Sequence, residues 1–216
     1  MIVSTMNIKE VKHEFLKDYP NVVEHLYNKA NDYRRRVLKK TIFPYNRESE
    51  IITKRKNRWL IYQQSDNRKE FHFKEKSKFI CVAEDKGLTA FEMYSYDDFF
   101  VMKYIPHFFR RYRERLNMSE KDLDLIRTYF RRNKTYLMAS DKLLLSGNTK
   151  AEIALFVNDG VALGNLDNGF VTFKTFISTK TFNKTHKEIY NYLYTEGENW
   201  LSVRDVVENL KTWLGD

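Results

Sequence analysis

Ile153-Ala154-Leu155-Phe156-Val157-Asn158-Asp159-Gly160-Val161-Ala162-Leu163-Gly164 is the stretch from which the fold can first be read. Two apolar runs flank an Asp-Gly dipeptide, the sequence signature of a tight β-hairpin turn. A second turn signal, Asp167-Asn168-Gly169, opens Phe170-Val171-Thr172-Phe173-Lys174-Thr175-Phe176-Ile177-Ser178. Together they predict a three-stranded antiparallel meander.

Downstream, Ile189, Tyr190, Leu193 and Tyr194, then Val203, Val206, Val207 and Leu210, recur at helical spacing and predict two C-terminal helices. Upstream, a helix is expected from His107 to Leu116. Another is expected after Ser119 as N-cap, carrying Leu123, Ile126, Tyr129 and Phe130 on one face. Between Glu50 and Ser95 the period changes to that of strands. Ile51-Ile52-Thr53, Trp59-Leu60-Ile61-Tyr62, Phe71-His72-Phe73, Phe79-Ile80-Cys81-Val82 and Ala90 to Tyr94 are separated by polar turns. From Ile8 to Lys40 the pattern is helical again, read as two helices with Pro20 in the first turn of the second. The fold class is therefore α+β: N-terminal helices, an antiparallel sheet, a central His/Arg helix, the meander and two closing helices. A helical and β region spans 1–100 and a helix–meander–helix region spans 101–216, as two parts or as one continuous domain.

Of the 216 residues, 42% are hydrophobic and 15% aromatic, enough to build a packed core and too many for a disordered chain. The net charge is +9. Residues 195–216 hold five acidic and two basic side chains, so the rest of the chain carries +12. A field of that sign attracts phosphate polyanions, RNA or another nucleic acid, by steering and counterion release. Solubility alone is the competing explanation. The single cysteine, Cys81, sits in an apolar run and reads as a buried thiol in a reducing compartment. The start of the sequence lacks the basic leader and apolar core of a signal peptide. No stretch has the roughly 20 apolar residues of a membrane span. A cytoplasmic location without a membrane partner is expected.

Several chemistries find no support. Ser146-Gly147-Asn148-Thr149-Lys150 lacks the first glycine and the Gly-Lys pair of a phosphate-binding loop. The five histidines, His13, His25, His72, His107 and His186, are scattered and form no zinc-binding pair. No metal site and no cofactor is expected.

Pro106-His107-Phe108-Phe109-Arg110-Arg111-Tyr112-Arg113-Glu114-Arg115-Leu116 carries the chemistry. Phe109, Tyr112 and Leu116 line its apolar face, with Phe108 at the border. His107, Arg110, Arg111 and Glu114 share a polar face. A neutral imidazole beside guanidinium groups suits phosphodiester cleavage. The ring takes the proton of a ribose 2′-hydroxyl while arginines stabilise the charge gathering on phosphorus.

A helix with His107, Arg111, Glu114 and Arg115 in this spacing resembles that of the barnase/colicin/RelE-type toxin ribonuclease superfamily. The likeness covers roughly residues 104–180. It implies a metal-independent RNA-cleaving enzyme with His107 as general base or acid, Arg111 and Arg115 as phosphate clamps, and a protein inhibitor as partner. It also implies a hydroxyl on the last strand of the sheet, for which Thr175 is the positional match. By simple alternation Thr175 shares a face with Val171, Phe173 and Ile177, while Thr172, Lys174 and Ser178 occupy the other.

Two further readings stand beside this one. A non-enzymatic nucleic-acid-binding protein of a mobile element would use Lys54, Arg55, Lys56 and Arg58, then Arg110, Arg131, Arg132 and Lys174, with Trp59 or Tyr62 to stack on bases. A structural or interaction protein would carry its charge for solubility and use the final helix, Val203 to Trp213, as a partner face.

Overall fold

The computed structural model describes residues 1–69, 77–94, 100–133, 136–140, 153–167 and 170–182, together with Lys184 and Lys187. The protein is α+β, its strands mostly antiparallel. It divides into two compact units, Met1–Val101 and Met102–Asp216.

The first unit begins with one long helix, α1 (Ile8–Leu38). Asn7 starts it with a reciprocal cap: its side-chain oxygen accepts from the Glu10 N–H, and the Glu10 carboxylate accepts from the Asn7 N–H. The expected break into two helices does not occur, and Pro20 lies inside α1. An interior proline costs about 3 kcal/mol or more. Val11 and Phe15 before it and Val22, Leu26, Tyr33 and Val37 after it are buried along one stripe. Each such burial is worth about 1.5–3 kcal/mol, so a continuous helix wins.

Strands β1 (Tyr45–Ile52), β2 (Arg58–Ser65), β3 (Ser77–Ala83) and β4 (Thr89–Tyr94) follow as an antiparallel array in chain order. The α1 stripe packs on it, with Phe15 against Trp59 at 5.6 Å and Tyr19 against Phe79 at 6.3 Å. Cys81, opposite Trp59 in the β2–β3 register, is fully buried. Burial pushes its thiol pKa well up, and nearby Asp18 adds to that. The expected strand Phe71–Phe73 lies outside the described residues. Lys78 approaches Glu92 at 3.5 Å.

Strand β5 (Phe100–Tyr104), whose last three residues open the second unit, pairs in parallel with β9 (Phe170–Ser178), Met102 opposite Val171 and Tyr104 opposite Phe173. The remaining neighbours, β8 (Gly160–Asp167), β7 (Ile153–Val157) and β6 (Tyr136–Ser140), are antiparallel, in the order β5-β9-β8-β7-β6. Helix α2 (Pro106–Leu116) starts directly after β5 with Pro106 in its first turn and stops where Asn117 turns left-handed at φ 54°. Helix α3 (Asp122–Arg132) begins after Lys121 rather than after Ser119. Its first turn carries Asp122 and Asp124, which suit the positive end of the dipole without a side-chain cap. Tyr104 is the centre of the core here: its ring meets Phe108, Phe109, Tyr129, Phe130 and Phe173 at 5.0–6.2 Å. The two expected C-terminal helices lie outside the described residues. Among the described residues no helix is long and apolar enough to cross a membrane.

Candidate nucleic-acid interface on helix α2

Helix α2 is amphipathic in the sense the sequence implied. Phe108, Phe109 and Tyr112 are buried, whereas Arg110, Arg111, Glu114 and Arg115 are exposed and His107 is half-buried. The Arg111 guanidinium donates to the Glu114 carboxylate at 3.0 Å. An Arg110 Nη lies 2.6 Å from His107 Nδ1. A guanidinium can only donate. For this contact to be a hydrogen bond, Nδ1 must be the acceptor, which is the tautomer carrying its proton on Nε2.

Thr175 is not brought to this group. The β8–β9 register runs Leu163–Thr175 and then Gly164–Phe173, so Lys174 is an extra residue, a β-bulge. The bulge puts Phe173 and Phe176 on the same side, where Phe173 meets Tyr104 at 5.0 Å and Phe176 meets Tyr112 at 4.9 Å. Thr175 consequently faces away from α2. Its register partner Leu163 packs with Ala154, Phe156, Val161 and Phe182 on the opposite side of the sheet. The simple alternation read from the sequence fails at this point because one residue is unpaired. Ser178 is buried and caps the Thr179–Thr181 turn, and Thr172 is buried. Lys174 is exposed. Its neighbour Phe173 accepts from the Ile105 N–H at 3.4 Å, so the bulge borders the start of α2.

The other basic candidates divide by their partners. Arg55 is held by Glu14 at 2.6 Å, and Arg58 bridges Glu50 and Glu84. Trp59, expected to be available for stacking, is fully buried and donates to Asp18 at 3.0 Å. Lys54 and Lys56 are exposed in the β1–β2 turn, where Lys56 adopts φ 61°. Arg131 is exposed, while Arg132 pairs with Asp159 at 2.6 Å.

That last pair belongs to a polar cluster the sequence reading missed. The Asp159 carboxylate accepts from Tyr112 Oη at 2.6 Å, Arg132 at 2.6 Å and Asn133 Nδ2 at 3.2 Å, and the Asp159 N–H donates to Asn133 Oδ1 at 2.9 Å. Burial, reinforced by Asp159, pushes the Tyr112 phenol pKa strongly up. In the sequence Asp159 reads only as a turn residue. The signal that could have found this role is a carboxylate beside a turn glycine in a chain rich in buried tyrosine. The cluster ties α2 and α3 to the β7–β8 turn, which places the exposed face of α2 firmly.

Among the described residues no three His, Cys, Asp or Glu side chains gather closely enough to hold a metal ion. No protein-family model, no curated protein and no solved structure matches the chain.

Proposed function

We propose that the protein binds RNA on the exposed face of α2 and cleaves it without a metal, as a ribonuclease of the toxin type. The observation that supports this most is the 2.6 Å contact of Arg110 with the His107 ring beside two further exposed arginines, Arg111 and Arg115. In the free protein Arg110 occupies the Nδ1 lone pair of His107. A phosphate oxygen is a stronger acceptor for a guanidinium than a neutral ring. Substrate therefore draws Arg110 away, and Nδ1 becomes free to accept the 2′-hydroxyl proton. The 2′-oxygen attacks phosphorus, the P–O5′ bond breaks, the 5′-oxygen takes a proton from water, and a 2′,3′-cyclic phosphate remains, with the 2′-hydroxyl proton held on His107 until it is lost to solvent. Arg111 and Arg115 stabilise the charge on the pentavalent phosphoryl group, and Lys174 adds a cation at the bulge.

A second reading, RNA binding without cleavage, gains weight from Thr175, whose position behind the sheet leaves His107 without the strand hydroxyl that the superfamily resemblance implies. Incubation of wild-type and His107→Ala protein with total RNA and EDTA decides between them. Chelator-resistant cleavage that disappears in the variant supports the enzyme. Salt-sensitive binding without cleavage by wild type supports the second reading.

A further inference from the structure

A shallow, open pocket of about 470 Å³ lies on the surface of the first unit, lined by Thr41, Phe43, Asn67, Arg68 and Lys69. It lies outside every basic cluster singled out from the sequence. Arg68 is anchored at its back, Nε donating to the Lys40 carbonyl at 2.8 Å. The Asn67 side chain accepts from the Lys69 N–H at 2.8 Å and fixes the turn that presents both cations. Arg68 and Lys69 are exposed, and neither forms an ion pair with a described carboxylate. Asp66, two residues before Arg68, accepts from Gln64 at 2.7 Å. Half-buried Phe43 supplies an aromatic wall.

We propose that this pocket takes one nucleotide of a single-stranded RNA, with the base against Phe43 and its phosphate between Arg68 and Lys69. The inference rests on the reading that RNA is the partner, and it assigns a second contact to the first unit. An aromatic face beside two cations is the combination that holds single strands without sequence preference. Duplex would gain nothing from Phe43, because its bases are already stacked.

The test is fluorescence anisotropy with a labelled 2′-O-methyl uridine octamer, which cannot be cleaved at a 2′-hydroxyl. Wild type, Phe43→Leu, Arg68→Gln/Lys69→Gln and His107→Ala/Arg111→Ala are compared from 50 to 300 mM salt, after circular dichroism has established that each is folded. Phe43→Leu keeps the apolar bulk, and it is expected to weaken binding roughly ten-fold at constant salt with the salt slope unchanged. The double charge variant is expected to lower the slope of log K against log salt by about 0.7, the value for one phosphate contact on a single strand. If both pocket variants bind as wild type while the α2 variant weakens, the pocket inference is overturned and the proposal for α2 stands. If the pocket variants weaken binding but His107→Ala cleaves RNA normally, the pocket stands and the catalytic assignment falls. Absence of binding by wild type at the lowest salt overturns both.

Discussion

Phe173 and Phe176 stand three residues apart in β9 and still place their rings on the same side of the sheet, both meeting Phe108 of α2, at 6.4 and 6.1 Å. In a regular strand residues three apart point to opposite faces. Lys174 is the unpaired residue that resets the alternation. The apolar seat of the candidate helix thus depends on a local irregularity in the strand beneath it.

The bulge has a structural requirement at Gly164. A Cβ there would lie 2.2 Å from the Thr172 carbonyl oxygen, a backbone atom that cannot swing aside. Gly164→Ala is expected to destabilise the protein by about 1–3 kcal/mol, as other overpacking substitutions do. Urea denaturation followed by circular dichroism reads this directly. A midpoint equal to that of wild type would mean that the bulge tolerates a side chain.

Asp159 gathers Tyr112, Arg132 and Asn133 at one carboxylate. Asp159→Ala leaves a buried phenol and amide without their acceptor and is expected to cost about 1.5–3 kcal/mol. Asp159→Asn keeps one acceptor oxygen and should lose less. Equal stability for the two variants would show that charge, rather than the acceptor oxygen, is what matters at this position.

Glu14 predicts a pH dependence. The Arg55 guanidinium, aided by the Met1 ammonium and Lys17, holds its carboxyl at about 2 instead of 4.5. A carboxyl lowered by folding stabilises the folded state above its unfolded pKa, and that contribution is lost as pH falls through the folded value. Because Arg55 is partly exposed and solvent screens the pair, wild type is expected to exceed Glu14→Gln by about 1 kcal/mol above pH 4.5, with the gap closing toward pH 2. Thermal melts across that range would refute this if the gap were constant.

Cys81 should be inert. Its thiol is fully buried and its pKa is pushed up by that burial. A thiol reagent is expected to modify no sulfur in folded protein at pH 8 and one per chain in denaturant. Rapid labelling of the folded protein would mean that the β2–β3 region opens.

The α+β class was legible because the apolar period changes from helical before residue 40 to alternating after residue 45, and returns to helical at Pro106. Helix α2 was legible for the same reason, its aromatic stripe and its arginines falling on opposite faces. The unity of α1 was not, because a proline reads locally as a boundary while the burial that overrides it is tertiary. Nor was the direction of Thr175, since a bulge depends on the partner strand and leaves no mark in a period of two. Charge was the least informative signal at residue level. Arg55, Arg58 and Arg132 look like Arg110 in the sequence, and only their carboxylate partners separate them.

The parallel pairing of β5 with β9 has a consequence for a chain made from its N-terminus onward. Helix α2 emerges from the ribosome before the strand that provides Phe173 and Phe176 for it to rest on, which is made only after α3 and β6 to β8. A product that stops short of residue 170 would carry the basic helix without the Phe173 and Phe176 rings that meet Phe108. The face bearing His107 is therefore assembled only by a chain that has been translated through β9.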